Sequence, residues 1–217
     1  MERERWGAAW VAMVGVFVVV VAEQLPIGLL IQISPELRVT EGAAGLSVTI
    51  PSVIAGVAAL VVPVVAGRLD RRVLLIALMI LMTAANVASW VAPNFEVLLL
   101  SRVFVGIGIG GFWAIGGGLA VRLVAAPNVP EATAIIFAGV AAANVLGVPL
   151  GTMLGTQLGW RLAFAALGAA ALVSLVCLIV ALPPLAAPTP VRPQLLLDQL
   201  GNRDVAVGLI ATLRGAA

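Results

Sequence analysis

An all-α membrane protein, a bundle of six transmembrane helices, is the fold this sequence predicts, and three observations predict it. Hydrophobic residues make up 62% of the chain and charged residues only 10%, and the mean hydropathy is +1.18, far above the range of water-soluble domains. The apolar residues fall into six long runs, and a helix rising 1.5 Å per residue needs about 20 of them to cross roughly 30 Å of hydrocarbon. Those runs are apolar on every face, whereas barrel strands would be about ten residues long and would alternate apolar with polar.

The first helix is expected over 8–33. Arg3 and Arg5 precede it like the start of a signal peptide, but the apolar stretch continues past Glu23 to Ile33 without a small-residue cleavage pattern, so it is kept as a span. Glu23 is its distinctive residue. A charged side chain deep in a bilayer costs about 2.5–3.5 kcal/mol, so an intramembrane carboxylate points to an ion or substrate pathway. The second helix, over 44–66, leads into the basic loop Gly67-Arg68-Leu69-Asp70-Arg71-Arg72, and the third, over 73–91, carries Asn86. The fourth, over 97–122, holds Arg102 followed by Gly106, Gly108 and Gly110, then Phe112 and Trp113, and closes near Arg122. The fifth, over 131–156, repeats a small residue every fourth position, at Gly139, Ala143, Gly147, Gly151 and Gly155, which lets a neighbouring backbone approach one face closely. Pro149 removes a backbone hydrogen bond in that helix and is expected to bend it. The sixth helix opens with Gly159-Trp160-Arg161 and runs over 160–182.

Orientation follows from the arginines, which gather at cytoplasmic loops. With the N-terminus inside, eight of them (Arg3, Arg5, Arg68, Arg71, Arg72, Arg122, Arg192 and Arg203) lie inside, against Arg38 and Arg161 outside. After Leu182 the composition changes to Pro183, Pro184, Pro188, Pro190 and Pro193 with polar residues, so 183–204 is expected to be a linker on the inner surface. Apolar character resumes at Val205, and 205–217 is expected to be the start of a seventh span, too short to cross.

Composition also removes function classes. There is no His, Lys or Tyr, which takes away His-ligated metal sites and Ser-His or Cys-His catalysis, so no enzyme activity, metal or cofactor is expected. The lone Cys177 has no partner thiol. The pI of about 9.9 accompanies a net charge of only +2, and arginines at helix ends suit a lipid bilayer rather than nucleic acid. An intramembrane protease would need a nucleophile with its base, and no G-x-S-x-G pattern is present. A passive channel would need a carbonyl filter or a charge ring, and neither is visible.

Several patterns converge on one family. The Gly67–Arg72 loop resembles the inner-loop signature of the major facilitator superfamily, although one residue between Leu69 and Asp70 and a later glycine are missing. Arg102 and the glycines after it resemble the family's second signature. The stripe Gly139 to Gly155 with Pro149 resembles the glycine–proline signature of its proton-driven antiporters, with Val148 standing between Gly147 and Pro149. Together with the run from Glu23 to Leu30, these are similar to the bacterial drug:proton antiporter branch, near the sugar and arabinose efflux transporters and the purine ribonucleoside efflux pumps. The resemblance implies the N-terminal half of a twelve-helix fold, a missing C-terminal six-helix partner, a place in the bacterial inner membrane and efflux of a small organic molecule such as a drug, sugar or purine nucleoside. It implies further that the proton gradient drives transport through Glu23, whose proton affinity Arg102 tunes. Gln24, Asn86, Phe112, Trp113 and Asn144 are then expected to line the substrate cavity. Gly67, Asp70, Arg71, Arg72 and Arg122 would form a conformational gate in which Asp70 and the arginines make a charge relay to the inner end of the fourth helix. A half-size carrier acting as a dimer and a passive channel are the alternatives.

Overall fold

The computed structural model describes residues 5–67 and 69–185. Among them, six helical segments are long and apolar enough to cross a membrane: Trp6–Glu36, Glu41–Ala66, Arg71–Trp90, Phe95–Gly116, Ala126–Leu158 and Trp160–Ala181. The bundle's two ends differ. Arg5, Arg71, Arg72 and Arg122 lie at one, here the arginine end, while Glu36, Ala92, Trp160 and Arg161 lie at the other.

Side-chain chemistry fixes where several helices begin. The Asn94 side chain accepts a hydrogen bond from Val97 N at 3.0 Å, Thr40 accepts one from Ala43 N at 3.2 Å, and Asp70 accepts one from Arg72 N at 2.7 Å. Each satisfies an amide that the first turn leaves without a partner. The second span ends at Gly67, with φ +46°, and Gly159, with φ +93°, makes the turn between the fifth and sixth spans. Both lie in the region that a Cβ disfavours.

Several spans depart from the continuous α-helix that the apolar runs predict. The fourth is expected to reach 122 but stops at Gly116, because Gly116, Gly117 and Gly118 together contribute no side chain to hold a helix. A separate short helix, Ala120–Leu123, follows, and the Leu123 carbonyl accepts from Arg5 N at 3.0 Å. The first span passes through a 3₁₀ segment, Leu25–Leu29, that contains Pro26. In the fifth, a π-turn spans Ala143–Gly147, immediately before the helix that holds Pro149. Proline lacks the N–H that would close the α-turn beneath it, and the chain widens there.

The first and fourth spans are the most deeply buried and form the centre. The first packs on the fourth, fifth and sixth, the fourth on the second and third, and the third on the sixth. Small residues set the closeness of two of these contacts. A Cβ at Gly139 would strike the Met13 carbonyl oxygen, one at Gly147 would meet the Phe17 ring at 2.8 Å, and one at Gly151 would meet the Leu25 side chain at 2.6 Å. Gly155 faces Leu29 in the same way. The fifth-helix stripe is therefore the surface on which the first helix lies. On the fourth helix, Gly106 and Gly110 meet the second-span backbone at Pro51 and Ala55.

The linker expected over 183–204 and the seventh-span start expected over 205–217 lie outside the described residues from 186 onward. Residues 182–185 are described, and Leu182 and Leu185 are buried.

Gly139→Ala should destabilise the bundle by about 1–3 kcal/mol, because the atom it strikes is backbone and cannot rotate away. Gly56→Ala, which meets nothing within 4 Å, should be neutral or stabilising by up to about 1 kcal/mol. Equilibrium unfolding of the two variants in mixed detergent micelles checks the contrast.

Candidate functional site

Arg102 is fully buried, and in an apolar bundle its guanidinium must find protein acceptors. Its Nη2 donates to Ser89 Oγ at 2.6 Å and to Asn86 Oδ1 at 3.4 Å. Its Nη1 donates to the Ala22 carbonyl at 3.5 Å, and its Cζ stands 4.7 Å from the centre of the Phe164 ring. Residues of the first, third and sixth spans thus converge on one cation of the fourth. Ser89 is the hub, since its hydroxyl also bonds the Ala85 carbonyl at 2.8 Å and Ser101 Oγ at 2.7 Å. No carboxylate takes part.

Glu23 sits next to Ala22, whose carbonyl Arg102 reaches, yet the two charges do not pair. Among the described residues the ion pair within 4.0 Å is Glu36 with Arg161. Glu23 is half-buried and has no side-chain hydrogen bond. The structure therefore brings Arg102 to the backbone of the first helix beside Glu23 and leaves the carboxylate unbonded.

The five residues expected along a substrate cavity divide. Asn86 is wholly buried and donates to the Met82 carbonyl at 2.8 Å. Phe112 is also buried, packed where Gly15 leaves room for its ring. Both stand inside the bundle rather than on an open surface, Asn86 against Gly168 of the sixth span and Phe112 against Gly15 of the first. Gln24 is half-buried. Trp113, half-buried, meets Phe137 of the fifth span with ring centres 5.9 Å apart. Asn144 is exposed, and its Nδ2 donates to the Val140 carbonyl at 2.9 Å. Phe137 lies about two helical turns before Asn144 and is likewise exposed, so both belong to one side of the fifth helix.

The gate loop is also rearranged. Asp70 Oδ1 accepts from Arg72 N and from Leu185 N at 3.0 Å, Arg71 N donates to the Leu185 carbonyl at 3.0 Å, and Arg72 Nη2 donates to the Ile179 carbonyl at 2.6 Å. These bonds tie the start of the third helix to the end of the sixth, while Arg71 and Arg122 face one cavity at the arginine end of the fourth. Asp70 Oδ1 caps the start of its own helix. Gly67 supplies the turn that brings the loop there.

Sequence reasoning missed Ser89, Glu36 and Phe137. At the far end, Glu36 accepts from Trp160 Nε1 at 2.6 Å and pairs with Arg161, whose Nη2 donates to the Ala92 carbonyl at 2.9 Å. The Arg161 guanidinium stacks 4.3 Å from the Trp160 ring centre. An acid just after an apolar run and an aromatic–arginine pair were the available signals.

A family model described as the Major Facilitator Superfamily matches residues 12–214. Over 211 residues the chain is 34% identical to the purine ribonucleoside efflux pump NepI of Salmonella paratyphi A (strain ATCC 9150 / SARB42), a match covering 97% of this chain and 53% of the pump. The NepI pump of Salmonella typhi gives the same identity and coverage, 34%, 97% and 53%. The chain thus spans about half the length of the curated relatives it matches. Among solved structures, a peptide transporter POT in complex with sulfate superposes with a TM-score of 0.74 at 14% identity, over 98% of this chain and 46% of that one. A bacterial homolog of the human lysosomal transporter Spinster, inward-facing and unoccupied, gives a TM-score of 0.70 at 18% identity, over 89% and 47%. At those identities the likeness is one of fold.

Ser89→Val removes the shortest acceptor of Arg102 and should cost about 1–3 kcal/mol of bundle stability. Ser89→Thr, which keeps the hydroxyl, should recover most of it, with detergent unfolding as the measurement.

Proposed function

This chain belongs to the major facilitator superfamily, and on that premise we propose that it is the N-terminal bundle of a proton-coupled efflux transporter for a small organic molecule. One observation carries the reading: the half-buried Glu23 carboxylate, in the middle of an apolar span, has no cation and no hydrogen-bond donor committed to it. A carboxylate fixed by an ion pair would hold one charge state, whereas an unbonded one in such surroundings can take up and release a proton. Arg102 acts from the neighbouring helix. Its positive charge lies close enough to reach the Ala22 carbonyl and biases the proton affinity of Glu23 without quenching it.

Substrate contact falls to Trp113, Phe137 and Asn144. Trp113 and Phe137 offer aromatic faces for a planar ring. Asn144, on the same side of the fifth helix as Phe137, offers an amide for its polar edge. A purine nucleoside, the class named for the NepI pumps, fits that pairing of stacking and hydrogen bonding. Gln24 is the remaining half-buried polar group on the first span.

The second and fifth spans expose their large apolar residues most. Leu60, Val61 and Val65 on one and Val145, Leu146 and Leu150 on the other are each about half exposed or more. A second six-helix bundle would cover those faces and close a central site between two halves, the arrangement in which one bundle rocks against the other. The arginine end faces the cytoplasm of a bacterial plasma membrane in this reading.

In vesicles, the chain paired with a companion bundle should expel substrate when a proton gradient is imposed, and Glu23→Gln should abolish the coupling while leaving substrate binding measurable. Coupled flux that survives Glu23→Gln would overturn the proton role, and gradient-independent flux would indicate a passive channel. Robust flux from the chain alone would instead indicate a dimer of half-size carriers. Trp113→Leu should raise the apparent KM for a planar substrate about fivefold to tenfold, the loss of one stacking contact of about 1–1.5 kcal/mol, with a smaller change in kcat.

A further inference from the structure

The hold on Arg102 is uneven. Its Nη2 lies 2.6 Å from Ser89 Oγ, whereas its contacts to Asn86 and the Ala22 carbonyl are 3.4 and 3.5 Å, at the outer limit of a hydrogen bond. Its Nε is buried with no partner among the described residues. Ser89 is therefore the group that chiefly fixes where the guanidinium sits. Ser89 in turn touches Ser101, 2.7 Å away and also buried. The two serines are 12 residues apart, and the turn capped by Asn94 sets the third and fourth helices in the register that joins them.

Two hydroxyl hydrogens serve three contacts here. Each serine supplies one O–H, yet the pair meets the Ala85 carbonyl at 2.8 Å, the Leu98 carbonyl at 2.6 Å and each other. If both hydrogens went to carbonyls, the two serine oxygens would face each other at 2.7 Å with no hydrogen between them. Two orders remain. In one, Ser101 donates to Ser89 and Ser89 to Ala85; in the other, Ser89 donates to Ser101 and Ser101 to Leu98. Neither order strands a carbonyl, because the helix amide four residues on already bonds each of them. The Arg102 charge selects between the two. A cation at the Ser89 oxygen favours hydrogens that point away from it along the pair, and the head-to-tail chain from Arg102 through Ser89 and Ser101 to Leu98 lets each donor strengthen the next. Without Ser101, that chain loses its second step and Ser89 has the Ala85 carbonyl alone to donate to.

We propose that Ser101 is a positioning residue that, through Ser89, holds the Arg102 guanidinium against the first helix at Ala22, next to Glu23. Its bearing on transport rests on the proton-coupling reading of Glu23, whereas its hold on Arg102 does not.

The test follows Arg102 by NMR in the ¹⁵N-arginine-labelled 217-residue chain in phosphatidylcholine nanodiscs. The Phe164 ring, 4.7 Å from Cζ, shifts the Arg102 guanidinium signal, and Phe164→Leu identifies it. Ser101→Ala should speed exchange between the two Nη positions about threefold to tenfold, the loss of one hydrogen bond. Ser101→Thr, which keeps the hydroxyl, should restore the slow rate. Ser174→Ala removes a serine just as buried but without a hydrogen-bond partner among the described residues, and should leave the rate unchanged. With a companion bundle present, Ser101→Ala should also move the pH midpoint of coupled flux while the KM for substrate stays the same. The proposal is overturned if Ser101→Ala leaves exchange within about twofold of the original, or if Ser174→Ala accelerates it as much, which would mean general loosening. Faster exchange with an unmoved midpoint would overturn the part in transport and uphold the hold on Arg102. Coupling that survives Glu23→Gln would remove the proton reading alone, since the exchange rates do not depend on it. Ser101→Cys, close in volume and a weak hydrogen-bonding group, decides the question if Ser101→Ala unfolds.

Discussion

Arg102 imposes the strictest condition on this bundle. A cation in the middle of an apolar assembly costs about 2.5–3.5 kcal/mol by insertion scales, and no carboxylate offsets it here. Hydrogen bonds to charged groups return about 1.5–3 kcal/mol each, and an aromatic face up to about 2. Ser89, Asn86, the Ala22 carbonyl and Phe164 together offset that cost. Those partners come from three other spans. Displacing any one of these helices takes a partner from the charge, so a single side chain links the positions of four of the six spans.

Polar ties at the two ends serve a different purpose. Asp70, Arg71 and Arg72 bind the close of the sixth helix at Ile179 and Leu185, while Arg161 binds the close of the third at Ala92. The third and sixth spans are thus fastened to each other at both ends. The Glu36–Arg161 pair is half-exposed and contributes little by itself, roughly 0–1 kcal/mol. Its effect is geometric, because Trp160 and Arg161 share one acid and hold the first helix beside the frame. Between the first and fifth helices the spacing is set by close packing at Gly139, Gly147, Gly151 and Gly155.

Apolar run length made the six spans legible, and the period of four on the fifth helix marked its packing face, because both depend on residues near in sequence. Helix ends were less readable. The fourth span stops at Gly116 rather than near 122, where three adjacent glycines outweigh an otherwise apolar run. Contacts between distant segments were hardest to foresee. Ser89 resembles any serine in a membrane helix, and only folding brings it to 2.6 Å from Arg102. Asp70 had two available partners in sequence terms, the fourth helix and its own helix start, and the local cap won because it requires no loop closure. Asn86 and Phe112 have the residue types of a ligand site, yet burial depends on which neighbour each faces.

The π-turn in the fifth helix matters for the phase of its small residues. In an unbroken α-helix, a residue repeated every fourth position drifts by roughly 40° at each repeat, so a long stripe winds off its neighbour. From Gly139 to Gly155 that winding would carry the far glycines to another side of the helix. A wider turn rotates the chain less per residue, so the segment Ala143–Gly147 takes back part of the drift midway. Gly151 and Gly155 consequently still look onto Leu25 and Leu29 of the first helix. Removing one residue from that turn would straighten the helix locally and leave both flanks in register, whereas removing one elsewhere would rotate half the stripe out of contact.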